Sequence, residues 1–134
     1  MEKIEFAFRK EQSGLFGSIL RPVARVILIN GGNRVPEILY VDSGADVTLI
    51  SKSIGDLLGL KITQRDQFQE IKGIGERSVA MVVKKIHIQI GTQTIPSRIS
   101  WALTEDVPLL LGRVDIFHLF HITFAKNQKT LFTE

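Results

Sequence analysis

The sequence contains no cysteine. That removes disulfides, thiolate nucleophiles and cysteine-ligated zinc together, and it fits a cytoplasmic setting, which is the expected location. Long apolar runs are missing as well. No stretch approaches the ~18 consecutive apolar residues that a spanning helix requires, so no membrane partner is expected. The opening "MEKIEFAFRKEQSG" alternates apolar and polar residues and lacks the apolar core of a secretory signal. Charge of one sign is also scarce: 17 Lys+Arg against 14 Asp+Glu leave a formal +3. The basic residues are scattered, with only short pairs such as Arg9-Lys10 and Lys84-Lys85. A nucleic-acid stripe would cluster them with aromatics between. A mixed solvated surface is expected instead, and no nucleic-acid partner.

What is present is strand after strand. At 134 residues the chain is most simply one domain, large enough to bury about two thirds of its unfolded surface. "IEFAFR" and "VARVILI" alternate or run apolar, "NGGN" breaks the chain as a hairpin turn does, and "VPEILYV" returns. Val79 to Val83 and then "KIHIQI" read as one long strand. On it Ile86, Ile88 and Ile90 share a face, and Lys85, His87 and Gln89 share the other. Gly91-Thr92 makes the next turn, and "TIPSRISWAL" returns. Two short helices fit: "SKSIGDLLGL", with Ser51 or Ser53 as N-cap and Gly59 near its end, and "VDIFHLF". Phe117, Phe120 and Phe124 are expected in the core. No linker, low-complexity run or internal repeat is visible. The fold class is therefore mostly β, a single-domain barrel or sandwich with one or two short helices.

Around residue 40 the chain reads "ILYVDSGADVTLIS". An apolar run delivers Asp42 onto the small residues Ser43, Gly44 and Ala45, and a second apolar run follows Asp46. Asp, Ser and Gly are turn formers, and the triplet Asp-Ser/Thr-Gly arises by chance in roughly several of every hundred chains this long. Alone it is weak. Its setting is more telling, because a carboxylate between two segments that want burial is expensive unless it is hydrogen-bonded, paired or used. Two such loops facing each other would bring two carboxylates within hydrogen-bonding distance, and the pair would hold a single proton over a wide pH range. One member is then a general base toward a water, the other a general acid toward a carbonyl oxygen. That chemistry hydrolyses peptides without metal or covalent intermediate, and it needs two aspartates where this chain has one loop.

"YVDSGADVTLIS" resembles the active-site loop of the retropepsins, the retroviral-type aspartic proteases. Three more segments resemble the family in the same order. "LRPVARVILINGG" is similar to the strand and turn before the loop, "EIKGIGERS" to the flap, and "VPLLLGRVDIF" to the C-terminal apolar strand, Gly-Arg and short helix. Together they span roughly residues 20 to 125, and "LLGRVDIFHLFHITF" looks closer to cellular prokaryotic members than to viral enzymes. The resemblance implies a retropepsin-like barrel over 1–134, with 1–19 an N-terminal extension or strand, 20–125 the core and 126–134 a C-terminal extension.

It also implies roles. Asp42 is the catalytic carboxylate, supported by Ser43 and Gly44. Ala45 and Asp46 meet substrate, and Asp46 pairs with Arg113 in the same subunit. Leu49, Val107, Pro108 and Leu110 line side-chain pockets, although core packing explains those four equally well. Gly73, Ile74 and Gly75 form the flap tip over bound peptide, with Lys72 and Glu76 where viral enzymes commonly have glycine. A bare hairpin tip is the alternative for these three. Arg21 takes the place of an arginine that reaches across the dimer, although the turn after it is longer here. The implied assembly is a homodimer acting on a peptide or protein substrate without a cofactor. Viral members close that dimer with interleaved terminal strands, and the longer ends here leave its closure open. Two other readings stand beside this one: a catalytically silent peptide-binding or dimerisation module, and a latent enzyme obstructed by roughly residues 1 to 15.

Other constellations are weaker. His118 and His121, with Asp115, suggest a metal, but a catalytic zinc site needs a third ligand and an open position. They are read as ordinary, partly buried histidines on a terminal helix. Ser43 lacks the Gly-x-Ser-x-Gly elbow of a serine hydrolase.

Overall fold

The computed structural model describes residues 3–72 and 78–134. In chain order its strands are β1 (Lys3–Ala7), β2 (Arg9–Ser13), β3 (Gly17–Arg21), β4 (Val23–Asn30), β5 (Asn33–Val41) and β6 (Thr48–Ile50), followed by helix α1 (Lys52–Leu57). Then come β7 (Phe68–Lys72), β8 (Ser78–Ile90), β9 (Gln93–Ala102), β10 (Leu110–Leu111), a 3₁₀ turn (Phe117–Leu119), β11 (His121–Ala125) and β12 (Lys129–Thr133).

Six strands close a barrel in the order β4-β5-β10-β6-β9-β8, and β8 returns to β4 through pairs from Ile27↔Gln89 to Ile29↔His87. Turn chemistry sets the two long hairpins. β4 and β5 meet at Asn30↔Asn33 around Gly31, whose φ is 58°, and β8 and β9 meet at Ile90↔Gln93 around Gly91, at φ 60°. Those left-handed conformations cost glycine little and other residues more. Period-2 patterning then fixes the register, since a slip by one would turn every apolar side chain outward. Ile86, Ile88 and Ile90 are buried as their spacing predicts, and His87 between them is exposed. They meet Leu28, Leu39, Ile95, Ile99, Trp101 and Leu111 in the core. Each such side chain contributes about 2 kcal/mol of apolar transfer.

Helix α1 packs on this core because of a glycine. A Cβ on Gly55 would lie 2.0 Å from the Trp101 indole nitrogen, while that indole N–H donates to the Lys52 carbonyl at 3.2 Å. Alanine here would gain about 1 kcal/mol of helix propensity against a clash with a ring that has nowhere to go. The glycine therefore wins. Ser51 occupies the N-cap position, but its side chain makes no capping bond. Glu105 does that work, accepting from both the Ser53 amide and the Ser53 hydroxyl. Gly59 follows the helix at φ 73°.

The two ends of the chain meet in one sheet, with the N-terminal segment adding a strand to it. β12 lies between β1 and β11 in a three-stranded sheet, with registers Lys3↔Thr133 and His121↔Thr133. Phe132, in the segment set apart as a C-terminal extension, is fully buried. The rings of Phe6 and Phe120 meet it edge-on at 5.8 and 5.4 Å. β2 and β3 form a separate two-stranded hairpin that the sequence reading did not foresee, since "RKEQS" has no apolar alternation. The "VDIFHLF" helix is only the 3₁₀ turn: Asp115 before it has φ 68°, and Phe120 after it is extended. His118 and His121 are both exposed and sit on different elements, a turn and a strand, not on one helix face. Phe117 and Phe120 pack against the core, but Phe124 is exposed and touches Phe8 edge-on at 6.3 Å.

Candidate functional site

β5 and β6 are consecutive in sequence but not neighbours in the barrel. β10 lies between them, parallel to β5 (Leu110↔Tyr40, Leu111↔Val41) and antiparallel to β6 (Leu110↔Leu49). The segment 42–47 must therefore bridge two inter-strand spacings, roughly 10 Å, over the end of β10. This topology lifts Asp42 to the mouth of the barrel.

Backbone contacts hold the bridge. The Asp42 amide donates to Leu111 O at 3.1 Å, and the Ala45 amide closes a turn on Asp42 O at 3.2 Å. The Gly44 amide donates to the Asp42 carboxylate at 2.9 Å. From the far side, the Arg113 and Val114 amides donate to Ala45 O and Asp46 O at 3.0 and 2.7 Å. Between these layers Gly112 is indispensable: a Cβ there would sit 2.3 Å from the Val47 carbonyl carbon. Its amide donates to the hydroxyl of fully buried Thr48 at 3.1 Å. Neither Gly112 nor Thr48 was assigned a site role from sequence. The only clue was the Gly-Arg pair, and its reason is a close approach of segments 64 residues apart.

The other expected residues fall as follows. Asp42 is half-buried. Ser43 is exposed and its hydroxyl has no hydrogen bond among the described residues, so Gly44, Thr48 and Gly112 hold the loop within one chain. Arg113 donates to the Asp46 carboxylate, and both side chains are open to water. Next to this pair, Arg98 forks onto Asp115 with two guanidinium bonds of 3.0 Å and a backbone bond of 2.9 Å. Chiefly those side-chain bonds hold the Asp115 carboxyl down at about 2.

Two cavities open on the loop, and a third adjoins them. One of about 440 Å³ holds Asp42 among Tyr40, Pro108, Leu110, Glu11 and Arg21. A second, about 410 Å³, is lined by Ala45, Asp46, Leu49, Met81, Ser100 and Leu110. Leu49 and Met81 continue into a third of about 530 Å³, with Leu103, Val107 and Pro108. Shared walls make them one groove, mainly apolar around Leu49 and Met81 and mixed polar and apolar where it holds Asp42 with Glu11, Arg21 and Tyr40. Leu49, Val107, Pro108 and Leu110 all line it and none is fully buried. Met81 and Leu103 were missed from sequence, because strand periodicity gave no sign of which face of the barrel mouth they would join. Glu11 was missed too. It accepts from the Tyr40 hydroxyl at 2.6 Å and Arg9 Nε at 2.9 Å, and pairs with Arg21 Nε at 3.2 Å. Its carboxyl is held below the usual range, first by the Tyr40 hydrogen bond.

β7 and β8 pair antiparallel from Phe68↔Val82 to Lys72↔Ser78. The stretch between them, with Gly73, Ile74, Gly75 and Glu76, lies outside the described residues, as does the Lys72 side chain.

No model of a known protein family matches the chain, and no curated protein matches it by sequence. Solved structures do. A retropepsin-like aspartic protease from Rickettsia conorii is similar over 95% of this chain and 97% of its own, at 15% identity and a TM-score of 0.69. EIAV protease, in complex with the inhibitor HBY-793, is similar over 77% of this chain and 88% of its own, at 25% identity and a TM-score of 0.52.

Proposed function

We propose that this chain, whose fold is the retropepsin-like aspartic protease fold, is an aspartic endopeptidase that works as a homodimer, with one Asp42 from each copy. The observation that carries the reading is the pairing of one half-buried carboxylate with one partly apolar groove in a chain that has a single copy of the loop.

A two-fold axis close to the loop brings identical carboxylates together, and a cyclic dimer is the least elaborate way to supply the missing partner. Two carboxylates at hydrogen-bonding distance share one proton. The ionised member takes a proton from a bridging water as it attacks the scissile carbonyl carbon, and the protonated member hydrogen-bonds the developing oxyanion. Breakdown of the tetrahedral species returns a proton to the leaving amine. The groove lined by Leu49, Met81, Val107 and Leu110 accepts apolar side chains of an extended peptide. The Asp46–Arg113 pair offers a fixed carboxylate to the peptide's backbone amides.

Asp42→Asn replaces one carboxylate oxygen by an amide nitrogen while keeping shape and the Gly44 contact. Incubated with a diverse peptide library read by mass spectrometry, the wild type is expected to cleave and Asp42→Asn to lose cleavage by at least a thousandfold. Equal cleavage by the variant would overturn the mechanism. One observation favours the second reading, a silent peptide-binding module: β12, the last strand, has both edges paired within one chain, between β1 and β11, so it is not free to interleave with a partner's strands. A chain that binds library peptides without cutting them, and sediments as a monomer at high concentration, would establish that reading instead.

A further inference from the structure

The hairpin β2–β3 is the part of the molecule that the barrel does not explain. It is a sheet of its own, and a lone two-stranded ribbon is marginal in water. Its root is nonetheless tightly fastened. Glu11 on β2 holds Arg9, Arg21 and the Tyr40 hydroxyl, and the Arg9 guanidinium lies 5.0 Å over the Tyr40 ring. Glu11, Arg21 and Tyr40 wall the same cavity as Asp42, so the ribbon springs from the edge of the candidate site.

Its tip is equally well made. The Ser13 hydroxyl accepts from the Leu15 and Phe16 amides at 3.3 and 3.2 Å, Gln12 reaches Ser18 at 3.1 Å, and Gly17 takes φ 69°. All this construction presents two apolar side chains to water. Leu15 is 82% exposed and Phe16 75%, more than any other large hydrophobic residue described. Such a patch marks an interaction site.

We infer that the hairpin is an arm that clasps a second copy of this chain, with Leu15 and Phe16 as its anchors. The inference rests on the proposed pairing of Asp42 across a two-fold axis. If that axis passes near Asp42, an arm rooted in the same cavity wall lies beside it. Five-residue strands extend roughly 17 Å from that root, enough to cross onto the partner. Charge agrees. Residues 9–21 carry Arg9, Lys10 and Arg21 against Glu11, a net +2, and the loop's Asp42 and Asp46 with the paired Arg113 leave a net −1. A two-fold would set each basic arm toward the other copy's acidic loop. β12, the last strand, is paired on both edges within one chain, so it does not take the clasping role.

The test is a Leu15→Ser/Phe16→Ser double variant of the full chain, made also in an Asp42→Asn background. Both side chains are exposed, so at concentrations where parent and variant are both monomeric the melting temperature is expected to stay within a degree or two of its parent's. Analytical ultracentrifugation over a concentration series is expected to show the dimer dissociation constant raised about 30-fold in both backgrounds. Peptidase activity should fall at dilute enzyme and recover at high enzyme concentration. An unchanged dissociation constant overturns the arm. So does a higher KM with unchanged dimerisation, which would assign the tip to substrate. Wild-type protein that stays monomeric throughout overturns it too. Arm-dependent dimers that never cleave a peptide would sink the catalytic reading and leave the arm standing.

Discussion

Individual residues at this site act mostly through space they do not fill or charge they hold in place. Gly112 is the clearest case. β10 passes under the Asp42 bridge so closely that a methyl group would fall 2.3 Å from the Val47 carbonyl carbon, and that neighbour is backbone, which cannot swing away. Gly112→Ala is expected to cost about 3 kcal/mol and to lower peptidase activity further than stability alone accounts for, measured by denaturant melts beside cleavage assays. Asp115 shows the other kind of role. Its carboxyl is lowered from 3.8 to about 2, first by the Arg98 side chain, so the folded state favours the ionised form. Stability from this pair is complete above pH 4 and is lost as pH falls toward 2. Arg98 stands largely in water, so solvent screening keeps the contribution small. Asn tolerates the left-handed backbone that Asp115 adopts. Asp115→Asn should therefore melt lower than wild type at pH 7, and the gap should narrow as pH falls from 4 through 2; a gap of the same size at pH 7 and pH 2 would contradict the assignment.

The elements at the two ends of the chain are joined to each other before anything else. β1 pairs with β12 over five residues, and Ile4 and Phe6 pack against the core that holds Phe132. An N-terminal segment placed in this way is part of the fold, which argues against its being a detachable plug. Removing residues 1–8 is expected to strip β12 of one neighbour, expose Phe132 and lower stability by about 3 kcal/mol. Thermal melts of the truncated chain would show it. Activity that rises on truncation, with the melt unchanged, would revive the latent-enzyme reading. The short element β10 has the largest positional effect of any strand. Two residues inserted between β5 and β6 turn an ordinary strand connection into the raised bridge that carries Asp42.

For the whole molecule the proposed function turns on arithmetic: the chain has one loop and one carboxylate, and the proposed reaction requires two. If the proposed function holds, specific activity must depend on enzyme concentration. Below the dimer dissociation constant the initial rate should rise with the square of chain concentration, and above it linearly. A rate that stays linear down to the lowest measurable concentration, with a monomer in the ultracentrifuge, would exclude a dyad made across two chains. The same experiment at raised salt reports on the basic arm, since partly exposed charge pairs weaken with ionic strength.

Much of this protein was legible from its sequence because the signals were local. Alternation gave β4, β5, β8 and β9, the glycines of Gly31-Gly32 and Gly91-Thr92 gave their turns, and a carboxylate stranded between apolar runs gave Asp42 its prominence. The β2–β3 ribbon stayed hidden because its strands bury little, so no hydrophobic period announces them. Phe124 was misjudged because an aromatic stripe cannot say which side of an edge strand lacks a cover. Glu11, Met81 and Thr48 joined the site only through contacts between segments far apart in the chain. Sequence by itself thus determined the strands, the bends and the candidate acid, each of which depends on neighbours a few residues away. Only the tertiary structure decided that β10 threads between β5 and β6, that Gly112 must have no side chain and that Glu11 reaches the wall around Asp42. Those facts depend on which distant backbones come into van der Waals contact, and no short window of residues encodes that.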